Sequence, residues 1–496
     1  MSVDVSGLAD AGGVTQRDDV RAEFALLRRF GVAAGIGWSL VFVVVGPWFA
    51  LQTYADGAIF SYAVAVEDVW AFHWHNIVGR IVVYLGSLLP AELYVGLTHD
   101  AAGGIRLYGV LFFAAPLCGL AATYVADRSR GRVIFAFAAL STACLCPFVF
   151  GFPTEMWMAH ALFWPTLALA RYARGARGTA AVFLALLALV FTYEGGFPLA
   201  LAIAATLVLG GRLTAAFGRI VVALLLALPL WALAHVVWPP DPYFGPVLAR
   251  AALHVFDLSV LSGDLMLLVY ATLAAYATAF LVLRRSNPDR AHLYAAAAVA
   301  LALAAYWLGY DRSLHAENRY YLRTLLLAVL PVLGMAAAAC ALVADERSER
   351  SPAWLRRLVG RLTHGAVARA AVGALALLTL VHAVEAVKFV AAWRDYMDGV
   401  RTLAMGAASD PALGDARFVS SARLGRRLNR LGWFSTTPYL SVLVAPNFAP
   451  ARLVVDPTAN YFWLSCATAG DNLAAERAVP VDSRRLVRVY SCLHRR

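Results

Sequence analysis

The chain has 496 residues, 61% of them hydrophobic and only 15% charged, and its formal net charge is +11. Soluble domains carry roughly 25% charged residues, and apolar runs near the length that crosses a bilayer recur along most of this sequence. Composition therefore excludes an ordinary soluble protein. It also argues against nucleic-acid binding: the basic excess is arginine, Lys388 being the only lysine, and the arginines sit in short loops between apolar runs, where they act as topology determinants.

Residues 1–21 are polar and rich in Gly and Asp, which predicts a disordered cytoplasmic N-terminus. No cleavable signal is evident, and Arg28-Arg29 precede the first apolar run. Eleven spans are expected, at about Val32–Leu51, Leu107–Val125, Val133–Phe150, Met156–Ala170, Ala180–Thr192, Phe197–Leu209, Ile220–Val237, Leu265–Leu283, His292–Tyr310, Tyr321–Val343 and Val367–Val387. Ile77–Leu97 is left out of that count. Pro90 and Glu92 interrupt it, and arginine placement alternates cleanly only if it does not cross. On that reading Arg128, Arg130 and Arg132, Arg171, Arg174 and Arg177, Arg212 and Arg219, Arg284, Arg285 and Arg290, and Arg347–Arg361 all face the cytoplasm. Glu155, Glu194, Asp241 and Glu317 face outward, and Ile77–Leu97 lies along the outer interface with Trp70, Trp74 and Tyr84 at headgroup depth.

Beyond the last span, Ala391–Arg496 is a polar outer tail. Strand-like runs at Leu440–Val444, Leu453–Val455 and Leu486–Tyr490, bounded by Pro, Asn, Asp and Gly, predict a small extracytoplasmic mixed α/β domain. The expected layout is thus a cytoplasmic N-terminus (1–21), a polytopic all-α membrane domain (22–390) and this tail (391–496). Cys118, Cys144, Cys146 and Cys340 lie in apolar runs as small core residues, whereas Cys466 and Cys492 share the tail and are expected to pair as a disulfide there. The Ala- and Arg-rich usage suggests a GC-rich bacterial genome, which makes the membrane a bacterial inner membrane.

Ionisable residues beside hydrocarbon cost free energy and mark function by default. The stretch after the first span holds Asp56, then Glu67-Asp68, then His73-Trp74-His75, then Arg80. Glu155 opens the fourth span, Glu194 ends the fifth, and Glu317 with Arg319-Tyr320 precedes the tenth. Asp56, Glu155, Glu194 and Glu317 at the outer ends of different spans can converge on one cavity. Singly they have plainer readings: Glu155 and Glu194 as helix-terminal charges, Glu317–Arg319 as a surface ion pair.

Asp56 with Phe60-Ser61-Tyr62-Ala63, Thr154-Glu155-Met156, Thr192-Tyr193-Glu194-Gly195, and Arg319-Tyr320 before Leu325–Pro331 form a pattern. It resembles the GT-C superfamily of membrane glycosyltransferases, in its arabinofuranosyl- and mannosyltransferase-like branch. The likeness is spread over about residues 30–345. It departs at Glu194, where Tyr193 stands in place of an Arg-Pro pair, and at Gly57, which stands where a second acid would follow Asp56.

The resemblance implies transfer of a sugar from a polyprenyl-phosphate donor to a glycan or lipid acceptor on the outer face. Asp56 would be the base, with Glu67 or Asp68 as rivals. Arg80, Arg319, Tyr320, Glu317, Glu155 and Glu194 would form the donor and phosphate site. Gly57 is expected to let the backbone turn tightly and aim the carboxylate. A divalent ion, Mg or Mn, would help to neutralise phosphate. His73 and His75 are candidate ligands for it, against the plainer reading of interfacial histidines bonded to lipid or backbone. A secondary transporter and a non-catalytic membrane scaffold with an outer tail are the alternatives. The acids cluster at one side and no two related halves are evident, unlike a transporter.

Overall fold

The structure, a computed structural model, describes residues 8–65, 67, 78–208, 215–240, 258–311, 319, 322–345, 365–406, 418–433, 436–448 and 450–455, together with 245, 249, 253, 357 and 359. Among the described residues it is almost wholly helical. Eight helices among the described residues are long and apolar enough to cross a membrane: Ala25–Trp48, Val78–Thr98, Ala101–Ala126, Phe217–Val237, Asp264–Leu283, Ala291–Tyr310, Arg323–Ala344 and Ala366–Met405. Shorter apolar helices lie among them, at Val133–Val149, Gly175–Val190 and Gly196–Val208. The outer surface of the bundle is itself apolar, with Leu225, Leu301, Leu308 and Val387 between 64% and 77% exposed. Water would penalise such a surface and lipid would not. The described residues are those of a multi-pass, predominantly helical membrane protein.

Chain order gives α1 (Leu8–Trp48), α2 (Asp56–Ala65), α3 (Val78–Thr98), α4 (Ala101–Phe113), α5 (Ala115–Ala126), α6 (Val133–Leu145), α7 (Met156–Tyr172), α8 (Gly175–Val190) and α9 (Gly196–Val208). Then come α10 (Ala215–Val237), α11 (Asp264–Leu283), α12 (Ala291–Ala305), α13 (Arg323–Ala344) and α14 (Gly365–Met405). α1 already starts at Leu8, inside the stretch that composition assigns to disorder. It is the centre post, packed against α4, α6 and α14. Gly35 makes the closest of these approaches possible, because a Cβ there would collide with the Ala139 backbone.

Three contacts define one end of the bundle. The Arg28 guanidinium donates to Gly131 O at 2.8 Å, the Arg130 N–H donates to Asp345 Oδ1 at 3.0 Å, and the Tyr172 hydroxyl donates to Asp345 Oδ2 at 2.8 Å. The middle of α1, where its apolar segment begins, the α5–α6 turn, the end of α7 and the end of α13 therefore lie together. At the opposite end α4 overshoots α1: Phe113 lies against Gly46, and Gly109 lies against the Gln52 side chain, already past the end of α1. α3 packs beside α4 there, with Val95 against Gly104.

The last long helix continues past residue 391, where the outer tail is expected to begin. α14 runs unbroken for 41 residues to Met405. At 1.5 Å per residue that is about 60 Å, twice the hydrocarbon thickness of a bilayer. Its second half is clasped by the tail, where Arg401 Nε donates to Val444 O at 3.0 Å and the Arg452 N–H donates to Ala404 O at 2.9 Å. Strands β1 (Phe418–Ser420) and β2 (Leu453–Val455) pair in parallel. Leu440–Val444, expected as a strand, belongs to a helix instead: α15 (Gly425–Asn429) is followed by α16 (Thr437–Val444). A short apolar run reads equally as a buried strand or a buried helix. Pro438 in the first turn and burial on nearly every side decide for the helix. Cys118, Cys144, Cys146 and Cys340 are free thiols. Cys466, Cys492 and the Leu486–Tyr490 run fall outside the described residues.

Candidate functional site

The site is built where α1 ends. Pro47 sits in its last turn, Ala50 closes it in the left-handed conformation (φ 53°), and a short 3-10 turn, Leu51–Thr53, follows. A second left-handed residue, Ala55 (φ 51°), turns the chain into α2. The tight turn expected of Gly57 is therefore made by Ala55. Gly57 is needed for a different reason, since a Cβ on it would collide with Gln52 O and the Pro153 ring. Asp56 opens α2, where the partial positive charge of a helix N-terminus favours a carboxylate. α2 is buried on nearly all sides, wedged between α4 and α16, so Asp56 is rigidly placed.

Three of the four expected outer carboxylates converge. Arg80, from the start of α3, donates to Glu155 Oε1 at 2.6 Å through Nη1. Its Nε and Nη2 hold both oxygens of Glu194, at 3.1 and 3.2 Å. Charge-assisted, bidentate contacts of this kind are the strong ones. Arg80 and Glu155 are nearly sequestered, with side-chain exposures of 11% and 3%. Tyr193 lies between two guanidiniums, with its ring 5.5 Å from Arg80 and 6.0 Å from Arg323. The field of Arg80, Arg323 and Glu155 reaches Asp56. Three carboxylates against two guanidiniums leave the cluster one negative charge when all are ionised.

Asp56 accepts a hydrogen bond from Trp433 Nε1 at 3.0 Å, across 377 residues of sequence. Its carboxyl is pushed up from 3.8 to about 6, chiefly by burial and further by Glu155, against the opposing pull of Arg323, Arg80 and the Trp433 donor. Beside it the Tyr108 hydroxyl and Gln52 Oε1 are buried with no hydrogen-bond partner among the described residues. Buried polar atoms of this sort cost free energy unless something pairs with them.

Other expected residues lie apart from this cluster or outside the described residues. Arg319 is 1% exposed, donates to Pro147 O at 3.3 Å and to Glu385 O at 3.4 Å, and covers the Phe389 ring at 4.8 Å. It is a buried brace between the end of α6 and α14. Glu67 is exposed beside Gly96, on α3. Asp68, His73, His75, Glu317 and Tyr320 fall outside the described residues. No group of three or more His, Cys, Asp or Glu side chains set to hold a metal occurs among the described residues. Glu155 and Glu194 both accept from Arg80.

Arg323, Tyr108 and Trp433 are functional candidates that the sequence reading missed. A second ionic cluster was missed as well. Lys388 on α14 donates to Asp311 Oδ2 at 2.6 Å and to Glu385 Oε1 at 3.2 Å, and Trp307 Nε1 donates to the same Glu385 oxygen at 3.1 Å. Its one sequence signal was a lone lysine in an otherwise arginine-only chain.

No protein-family model, no curated protein and no solved structure matches the chain.

Proposed function

We propose that this protein is an inverting membrane glycosyltransferase, taking a sugar from a polyprenyl-phosphate donor to a glycan or lipid acceptor at the outer face of a bacterial inner membrane. The observation that carries the reading is Asp56. It is a rigid carboxylate with a proton affinity near neutrality, set beside two guanidiniums and a buried, unpaired tyrosine hydroxyl. A general base works best with a pKa near the working pH.

The contacts at the two ends support the sidedness of this reading. Arginines crowd the end where Arg28 meets Gly131, as expected of a cytoplasmic end. Between Arg80 at one end and Arg130 at the other, the chain must cross an odd number of times. α4 and α5 together supply one crossing, which leaves α3 on the outer side despite its length. With α3 set aside and α7 and the three shorter apolar helices counted, eleven crossings result. The N-terminus is then cytoplasmic and the tail lies outside.

In the reaction, Asp56 takes the proton of an acceptor hydroxyl. The hydroxyl oxygen forms a bond to the anomeric carbon as the bond from that carbon to the lipid phosphate oxygen breaks, and the phosphate leaves with the electron pair. We assign Arg323, whose field reaches Asp56, to the departing phosphate, and Tyr108, beside Asp56, to a sugar oxygen. Two carboxylate-bearing helices and Arg80 thus act as a frame, and Asp56 and Arg323 as the working pair.

The test is sugar transfer from polyprenyl-phosphate sugars by purified wild type, Asp56→Asn and Asp68→Asn. Loss of a positioned base costs about 100- to 10,000-fold. Full activity in Asp56→Asn removes this assignment, and loss confined to Asp68→Asn moves the base there. Asp56-dependent solute flux into proteoliposomes, without transfer, would make the protein a transporter.

A further inference from the structure

A groove with no part in the acid cluster lies at the opposite end of the bundle, between α1, α5 and α6. It encloses about 470 Å³. Arg28, Arg29 and Arg132 form its rim, Tyr124 one wall, and Val32 and Phe135 its apolar floor.

The rim is held in place. Arg132 donates to the backbone carbonyls of Tyr124 and Asp127 and covers the Tyr124 ring at 4.5 Å. Tyr124 in turn packs edge-on against Phe135, with centroids 5.2 Å apart. Arg28 is tied to Gly131 O. Carbonyls are neutral acceptors, so both guanidiniums keep their full charge. Asp127, the acid nearest Arg132 in sequence, is fully buried and faces inward, accepting from Ser129 N at 2.8 Å, Ser129 Oγ at 2.6 Å and Phe135 N at 2.9 Å.

We propose that this groove binds an anionic phospholipid, with the phosphate on the arginine rim and the start of the acyl chains on the apolar floor. Charge fixes the sign of the headgroup. Planar guanidinium forks suit phosphate bidentately. The floor fixes the class: Val32 and Phe135 lie on helices inside apolar segments, one turn deeper than the arginines, where a soluble phosphate has nothing to bury. The volume fits a headgroup and not a macromolecule. Basic pockets between helix ends on a cytoplasmic leaflet meet anionic lipids there. The proposal is independent of the catalytic reading.

The test uses the purified full chain in mild detergent, titrated with phosphatidylglycerol, phosphatidylcholine or glycerophosphoglycerol, and read by native mass spectrometry and by the unfolding midpoint. Wild type should bind phosphatidylglycerol selectively and be stabilised by it. Arg29→Gln, which disturbs no internal contact recorded for the described residues, should weaken that binding roughly fivefold. Arg28→Gln with Arg29→Gln should weaken it further. Ala33→Phe keeps every charge but fills the groove, and should abolish selectivity. Equal binding of the two lipids overturns the proposal, as does unchanged affinity in the double variant. Glycerophosphoglycerol binding as well as the lipid would reassign the groove to a soluble anion. Selective binding retained in Ala33→Phe would reduce it to general surface attraction.

Discussion

Replacing Trp433 by Phe isolates one hydrogen bond in the site. Phe keeps most of the ring's contacts and deletes the Nε1–H that meets Asp56 Oδ1 at 3.0 Å. That donor favours the ionised carboxylate, so its loss must raise the Asp56 pKa further above its present value of about 6. A hydrogen bond to a charged group is worth about 1.5–3 kcal/mol, and one pKa unit corresponds to about 1.4 kcal/mol. Trp433 is only partly buried, which discounts the effect to about one unit. The carboxyl should then titrate near neutral pH or above. Carbodiimides react with protonated carboxyls, so labelling of the Asp56 peptide, followed by mass spectrometry across pH 4–9, reads this without any enzymatic assay. Wild type should lose labelling around pH 6 and Trp433→Phe about one unit higher. Coincident profiles would refute the claim that the tail sets the charge of Asp56.

Arg80→Met should destabilise by about 3–5 kcal/mol, because it strands Glu155 and Glu194 without their shared partner. Chemical denaturation in micelles measures it, and adding Glu194→Gln to that variant should restore part of the loss. Asp56→Asn should stabilise the protein at pH 8 by about 2 kcal/mol, with the partial solvent access of Asp56 already discounted. The raised pKa means that the carboxyl favours folding only while protonated. That contribution is complete below about pH 4 and lost as pH rises through about 6, so thermal unfolding at pH 4 should not separate the two proteins. A single cysteine at Thr98 should be labelled from outside and one at Arg130 from the cytoplasm. The reverse, Thr98 reached from the cytoplasm and Arg130 from outside, would mean that α3 crosses.

Asp56, Glu155, Glu194 and Arg80 were legible in the sequence because charge at the edge of an apolar run is expensive wherever the chain then goes. Their convergence was expected from their place at the outer ends of spans, but the direct pairing of Arg80 with Glu155 and Glu194 was not legible, since it depends on how α3, α7 and the end of α8 are brought around one point. Arg319 and Arg323 are four residues apart and equivalent by pattern. Only packing reveals that the first is locked beneath Phe389 and the second feels Asp56. Trp433 carries no local signal at all. The length of α14 beyond the expected span was not legible, because Lys388, Arg394 and Asp395 interrupt hydropathy without interrupting helix propensity, and the helix continues through them.

The route of the chain also orders its biogenesis. Trp393 Nε1 donates to Phe49 O at 3.1 Å, and Trp433 reaches back to Asp56, so the first and last thirds of the polypeptide close on each other. Insertion proceeds from the N-terminus, and Asp56 emerges while α14 and the tail are still unmade. Until they arrive the carboxylate stands in water, with the ordinary acidity of an aspartate. A nascent or truncated chain therefore carries every acid of the cluster and still lacks the proton affinity that distinguishes Asp56 in the finished protein. That affinity comes with burial once the tail closes over Asp56, and the tryptophan that the tail brings holds the rise in check.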